Sequence, residues 1–126
     1  MPESGADPMV VAAELILALQ TIPSRRLSPL ASAVISVTQI HGGEAINVIA
    51  DSIQLRGTVR CLQGDVRDRV KQLINEFVTT LPQPFGVSGS IEWLPGYPVT
   101  RNHALSAEQV RAVAERTLGA EKVQWQ

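Results

Sequence analysis

Residues 52–62 read Ser-Ile-Gln-Leu-Arg-Gly-Thr-Val-Arg-Cys-Leu, a stretch in which apolar or small residues alternate with polar ones. The members that share one face are Ile53, Leu55, Gly57, Val59 and Cys61. Successive side chains of a strand point to opposite faces of its sheet. The alternation therefore predicts a β-strand with one face on a core and the other in solvent.

A second strand is predicted just upstream, where residues 33–41 read Ala-Val-Ile-Ser-Val-Thr-Gln-Ile-His. This stretch is rich in β-branched side chains and largely alternates, as strands do. Gly42-Gly43 interrupts the pattern, and we expect the pair to adopt backbone angles that other residues avoid. A connection of roughly ten residues suits an antiparallel pair, since parallel strands need a longer crossover.

Helices are predicted on both sides of this strand pair. Asp7-Pro8 is a favourable helix start, because Asp caps free N–H groups and Pro has none to leave unpaired. The apolar helix that follows is expected to be buried on more than one side and to end at Pro23. A second helix is predicted over residues 65–81. Its apolar stripe consists of Val66, Val70, Leu73, Ile74, Phe77, Val78 and Leu81.

One more strand completes the predicted fold. Residues 87–93 alternate again and are predicted to form it. The order helix, strand, strand, helix, strand is that of a ferredoxin-like βαββαβ arrangement without its first strand. We therefore predict an α+β fold, a ferredoxin-like two-layer sandwich whose antiparallel sheet has two helices on one face and lacks its first strand.

The chain changes character after the third predicted strand. Residues 94–98 read Leu-Pro-Gly-Tyr-Pro and indicate a linker. Residues 106–109 read Ser-Ala-Glu-Gln, a capping-box pattern that predicts a helix, which Gly119 would close. Residues 123–126 then resemble the beginning of a strand.

The length of 126 residues suits one domain with a fragment of another. We predict a lid or dimerisation domain over residues 1–95. Residues 96–126 are then expected to be a linker followed by the severed start of a further unit.

Composition excludes several classes of function. With 44% apolar and 18% charged residues, a net charge of −1 and no basic stripe, the chain is not expected to bind nucleic acid. Its longest apolar stretch, residues 9–19, is too short for a bilayer and contains Glu14. Cys61 is the only cysteine, which favours a reducing compartment, and we predict a cytoplasmic protein in which this thiol is buried and inert.

The sequence shows no catalytic constellation of its own. His41 and His103 are not spaced as metal ligands, and both are expected in exposed or loop positions. Neither a zinc-protease helix motif, nor a paired-cysteine motif, nor a glycine-rich phosphate loop occurs. We therefore expect neither a catalytic residue nor a metal ligand in this chain.

One segment resembles a known signature. Residues 42–51 read Gly-Gly-Glu-Ala-Ile-Asn-Val-Ile-Ala-Asp, and residues 55–60 read Leu-Arg-Gly-Thr-Val-Arg. Together they resemble the lid domain of the two-zinc amidohydrolases and exopeptidases, although Ala50 stands where that family usually has Pro. The resemblance extends over most of the chain, from Asp7-Pro8 to residues 118–120, and it is strongest to the branch that hydrolyses N-acyl amino acids such as hippurate.

The resemblance implies a role inside a larger enzyme. The chain would be the lid and dimerisation domain of a metal-dependent amidohydrolase and would form a homodimer with a second lid. A separate catalytic domain would hold two divalent metal ions of the zinc or manganese class, together with a general base. The fragment alone would then be inactive, without a cofactor of its own.

Two residues carry over from the family pattern. Asn47 matches the Asn before Val-Ile, and Arg60 ends the Thr-Val-Arg run. The family uses these positions to bind the carboxylate end of the substrate, which suits the paired N–H donors of a guanidinium. The alternative is that Asn47 only caps a turn and that Arg60 is a solvated strand residue.

The family's lid also supplies a His from a His-Ala-Ala-x-Pro segment. Met1-Pro2 resembles the end of that segment, and Glu3 stands where many relatives have His. The alternative to the lid hypothesis is a free-standing ferredoxin-like module that binds a ligand or dimerises. Ligand binding by the isolated chain at a buried pocket would favour that alternative.

Overall fold

A computed structural model describes residues 5–124 of the chain. The expectations for Met1-Pro2 and Glu3, and for the last two residues of the strand predicted at 123–126, lie outside the described residues. The chain divides into two compact units, residues 1–94 and residues 95–126.

The predicted strand pair is confirmed. Strand β1 spans Ala33–His41 and strand β2 spans Gln54–Cys61, and the two pair antiparallel. Ala33 lies opposite Cys61 at one end of the hairpin, and His41 lies opposite Gln54 at the end that carries the loop. Gly43 has a φ of 81°, so the glycine pair does supply an unusual backbone angle where β1 ends.

The sequence did not predict a β-bulge in β1. Val37 pairs with Gly57 and Gln39 with Arg56, so Thr38 is an extra residue without a partner. A bulge shifts the alternation of the following residues by one position. Ile40 consequently pairs with Leu55 and shares its face, which strict alternation from Ala33 would not allow.

The first helix, α1, spans Pro8–Thr21, and its predicted start is confirmed. The Asp7 carboxylate accepts a hydrogen bond of 2.9 Å from the backbone N–H of Met9. The prediction that this α-helix ends at Pro23 is confirmed to within two residues. The α-helix ends at Thr21, but the chain continues through Pro23 as a π-helical turn over Ile22–Arg26, because a Pro in the first turn of a helical segment has no N–H to leave unpaired.

The second helix, α2, spans Gly64–Thr80 and packs on the same face of the hairpin as α1. The two helices, the π-helical turn and β1 contribute the buried cluster Leu19, Ile22, Ile35, Val70, Leu73, Ile74 and Val78. Val59 and Cys61 of β2 pack against this cluster from the sheet. This two-layer arrangement confirms the predicted α+β fold, which is consistent with a ferredoxin-like dimerisation domain.

The burial of α1 differs from the expectation. Its buried residues are Val11, Ala12 and Leu19, whereas Val10 is 47% and Leu17 is 68% exposed. Within residues 5–94, α1 is therefore buried on one side only. None of the helices between residues 5 and 124 combines the length and the apolar character that a membrane crossing requires.

The prediction of a third strand over residues 87–93 is wrong for the described part of the chain. These residues join no ladder, and the sheet has two strands. Their inward side chains still pack: the indole N–H of Trp93 donates to the Asn75 side-chain oxygen at 3.2 Å, and the Lys71 ammonium lies 5.3 Å from its ring centroid. In a ferredoxin-like sheet the last strand pairs with the first, and no strand precedes α1 among residues 5–124.

In the second unit, residues 95–124 contain one α-helix, an irregular segment before it and a 3-10 turn after it. Helix α3 spans Ala104–Leu118, and Gly119 closes it as predicted. The expected capping box is wrong, since the N-cap is His103, three residues before Ser106, and Ser106 lies in the first turn. Where a strand was expected to begin, Val123 instead follows a 3-10 turn over Ala120–Lys122.

Candidate functional site

The face of the hairpin that points away from the helices is almost entirely polar. We call it the polar hairpin face. It consists of Val34, Ser36, Gln39 and His41 of β1 and of Gln54, Arg56, Thr58 and Arg60 of β2. Every member from β2 is exposed, whereas Leu55, Val59 and Cys61 between them are half-buried.

Arg60 lies at the end of this face that is farther from the loop. It pairs with Val34, which is 54% exposed, and neither strand contains an Asp or a Glu. Among residues 5–124 no ion pair involves Arg60. The guanidinium is therefore available to an anion that approaches the polar hairpin face.

Asn47 lies in the loop between β1 and β2. The loop makes a turn in which the backbone N–H of Val48 donates to the Ala45 carbonyl at 3.4 Å. Between residues 5 and 124 the Asn47 side chain makes no hydrogen bond, so it does not cap this turn. It lines an open cleft of about 460 Å³. The other lining residues are Asp7, Met9, Gly43, Ala45, Ile46, Val48, Ile49 and Ala50.

The structure does not bring Asn47 and Arg60 into one cleft. The loop with Asn47 leaves β1 after His41, whereas Arg60 pairs with the second residue of that strand. At about 3.3 Å per residue, the hairpin separates its two ends by roughly 20 Å. Arg56 pairs with Gln39 and lies between them along the strand. Sequence reasoning missed Arg56, although its even spacing from Arg60 indicates the same face.

The remaining sequence candidates form no second site. In the described part of the chain, no three His, Cys, Asp or Glu side chains come close enough to hold a metal ion. His41 is exposed and lies 3.4 Å from the Gln39 side-chain oxygen, and His103 is exposed before α3. Cys61 is half-buried, and burial raises the pKa of its thiol, an effect that Arg67 partly offsets. A protonated, half-buried thiol is a poor nucleophile.

Comparison with known proteins identifies relatives over most of the chain. Residues 1–85 match the family described as the peptidase dimerisation domain. The N-acetyl-L-cysteine deacetylase of Bacillus subtilis is 37% identical over 116 residues, which cover 92% of this chain and 28% of that protein. The IAA-amino acid hydrolase ILR1-like 2 of Arabidopsis thaliana is 33% identical over 125 residues, 96% of this chain and 28% of that protein.

A solved structure extends the likeness to the fold. The crystal structure of the Bacillus subtilis YXEP protein, a dinuclear metal binding peptidase, matches with a TM-score of 0.69 and 27% identity. The match covers 86% of this chain and 28% of that one. The chain thus spans less than a third of the length of these relatives. A family profile over two thirds of the chain, with the hairpin and helices to match, shows that the chain belongs to the peptidase dimerisation domain family.

Proposed function

We propose that residues 1–95 are the lid and dimerisation domain of a metal-dependent amidohydrolase that hydrolyses N-acyl amino acids. The observation that carries this proposal is the unpaired Arg60 on a polar face without acidic residues. An N-acyl amino acid keeps a free carboxylate, and a guanidinium pairs with a carboxylate through two parallel hydrogen bonds. The deacetylase and the IAA-amino acid hydrolase are named for substrates of this kind, which supports the assignment.

The catalytic chemistry belongs to another part of the proposed enzyme. A dinuclear metal centre is named for the YXEP protein, and we propose two divalent ions of the zinc or manganese class for the parent of this chain. Residues 5–124 offer no set of ligands for such ions, which the catalytic domain of the proposed parent would supply. On this proposal residues 96–126 begin the return into the catalytic domain, the fragment alone is inactive, and the parent enzyme is cytoplasmic.

Replacing Arg60 with alanine tests the proposed substrate contact. In the intact enzyme encoded by the reading frame around this segment, we expect kcat/KM for N-acyl amino acids to fall roughly 10- to 150-fold, a loss of about 1.5–3 kcal/mol in binding free energy. The loss should appear mainly in KM, because the carboxylate is bound in the ground state as well as in the transition state. Steady-state kinetics of the purified variant give KM and kcat separately.

Arg69→Ala is the matched control for this experiment. Arg69 is an exposed arginine of α2, on the helix layer, with one weak hydrogen bond of 3.5 Å to Gln72. Its replacement should leave the kinetics unchanged. Equal effects of the two substitutions, or none at Arg60, would remove Arg60 from the substrate site. Asn47→Ala in the same assay tests the other residue that the resemblance offers as a substrate contact, at the loop end of the hairpin.

The proposed dimer has its own test. Leu17 and Val10 leave an apolar side of α1 exposed, and residues 5–124 provide no strand beyond the open edge of β1. Apolar surface and unpaired strand edges are typical of surfaces that a partner covers. We expect the intact enzyme to sediment as a homodimer in analytical ultracentrifugation at micromolar concentration. A monomer at that concentration would contradict the proposed role.

A further inference from the structure

Arg56 is the second arginine on the polar hairpin face, and the function proposed above does not use it. It precedes Arg60 by four residues on β2, so both side chains leave the sheet on the same side. At about 3.3 Å per residue, their Cα atoms lie roughly 13 Å apart. Two long and flexible arginine side chains can narrow that separation when a ligand lies between them.

The surroundings of Arg56 contain no counter-charge. The Nε–H of Arg56 donates to the Gln54 side-chain oxygen at 3.1 Å, which leaves its terminal N–H groups free of any protein partner within residues 5–124. Neither β1 nor β2 contains an acidic residue, in a chain with 12 acidic and 11 basic side chains. Arg56 and Arg60 therefore present two positive charges on a face that carries no negative one.

The position of Arg56 along the hairpin also favours contact with a ligand. It pairs with Gln39, immediately after the bulged Thr38, and so lies on the loop side of Arg60. A ligand that extends from Arg60 toward the loop with Asn47 therefore passes Arg56. The hydrogen bond that Arg56 donates to the Gln54 side-chain oxygen holds the guanidinium near the sheet.

We propose that Arg56 is a specificity-determining residue that binds a second carboxylate of the substrate while Arg60 binds the first. The preferred substrates are then N-acyl amino acids with an additional carboxylate, on the amino-acid side chain or on the acyl group. This inference rests on the proposed role of Arg60. A guanidinium prefers a carboxylate to a neutral amide of the same shape. The carboxylate has two charged oxygens that accept from two N–H groups of the guanidinium, whereas the amide has one neutral oxygen.

The test compares two ligands that differ only in that charge. N-acetyl-L-glutamate and N-acetyl-L-glutamine are used as competitive inhibitors of the intact enzyme, with its best substrate from a panel of N-acyl amino acids. We expect the glutamate derivative to inhibit about tenfold more strongly, the ratio that one charge-assisted hydrogen bond supplies. Arg56→Gln should abolish this preference without weakening the glutamine derivative, and Arg56→Lys should retain part of it.

Two further variants separate this inference from the proposed function. Arg60→Gln should weaken inhibition by both ligands, because both carry the first carboxylate. Arg69→Gln should change neither. If Arg60→Gln weakens both ligands but Arg56→Gln leaves the preference intact, or if the unmodified enzyme has no preference, the role of Arg56 is overturned and that of Arg60 stands. If Arg60→Gln weakens neither ligand, the proposed function fails, and this inference fails with it.

Discussion

Replacing Leu73 with alanine is expected to destabilise the domain by about 3–4 kcal/mol, a large part of the 5–15 kcal/mol that stabilises a typical domain. Leu73 is 0% exposed and lies on the face of α2 that packs against the hairpin. Its neighbours in the cluster, Ile22 and Val70, are also fully buried. Alanine leaves a cavity beside them, and close-packed side chains from two helices and a sheet cannot relax enough to fill it.

Urea denaturation of the 126-residue chain, followed by circular dichroism, measures this effect. Leu30→Ala is the matched control, because Leu30 is a leucine of the same unit but is 92% exposed, just before β1. We expect the control to change the free energy of unfolding by less than about 0.5 kcal/mol. Similar losses from the two substitutions would mean that the core does not lie between α2 and the hairpin.

Local sequence patterns predicted the helices and strands that pack against other elements of this chain. The helix predicted over residues 65–81 is α2 to within one residue at each end, because its apolar stripe and its buried face are the same set of side chains. Both strands of the hairpin were predicted for a similar reason, since alternation reports burial against the helix layer. The Asp7-Pro8 start of α1 was predictable because the cap is formed by adjacent residues.

Features that depend on more distant pairing were not predictable in this way. Residues 87–93 alternate as a strand does, but alternation reports which side chains face inward and not whether a neighbouring strand is present. Trp93 is indeed packed inward, through Asn75 and Lys71 of α2, without any ladder. The bulge at Thr38 likewise has no local sequence signal, since β-branched residues are common on both sides of it.

In the candidate site, too, local features were predictable from the sequence and features that depend on distant pairing were not. The exposed, polar-face position of Arg60 was predictable from its place in an alternating strand, whereas its distance from Asn47 depends on the length of the hairpin. The resemblance drew attention to Asn47 and Arg60 because they belong to a family pattern. Arg56 lies outside that pattern, and although its even spacing from Arg60 on β2 indicates the same face, its pairing with Gln39 beside the bulge becomes evident only when the register of the two strands is known.

Gly57 is expected to be the least replaceable residue of the hairpin. It pairs with Val37, the last residue before the bulge, where the two backbones approach closely. A methyl group at this position would overlap the Ser36 carbonyl oxygen and lie 3.2 Å from the Val37 Cα atom. Both of these are backbone atoms of a paired strand, so no side-chain rotation can make room, and the strands themselves must separate.

We therefore expect Gly57→Ala to lower the free energy of unfolding by about 2–3 kcal/mol, the scale of overpacking at a site that cannot relax. Gly64→Ala is the matched control, since a methyl group on that first residue of α2 would meet no atom within 4 Å. Alanine there should leave the stability unchanged or raise it by a few tenths of a kcal/mol, because it restricts the unfolded chain. Urea denaturation of both variants gives the comparison.

The same substitution also tests how the bulge orients the polar hairpin face. If the strands separate at Gly57, hydrogen bonds on both sides of Thr38 should weaken, and amide hydrogen exchange should accelerate in β1 and β2 before it does in α2. The alternation of exposed and half-buried residues from Gln54 to Arg60 depends on that register, so Gly57→Ala in the intact enzyme should impair substrate binding as well as stability. Unchanged exchange rates in the two strands would mean that the close approach at Gly57 does not hold the register, and that the bulge is maintained by the packing of Ile35 and Val59 against the helices.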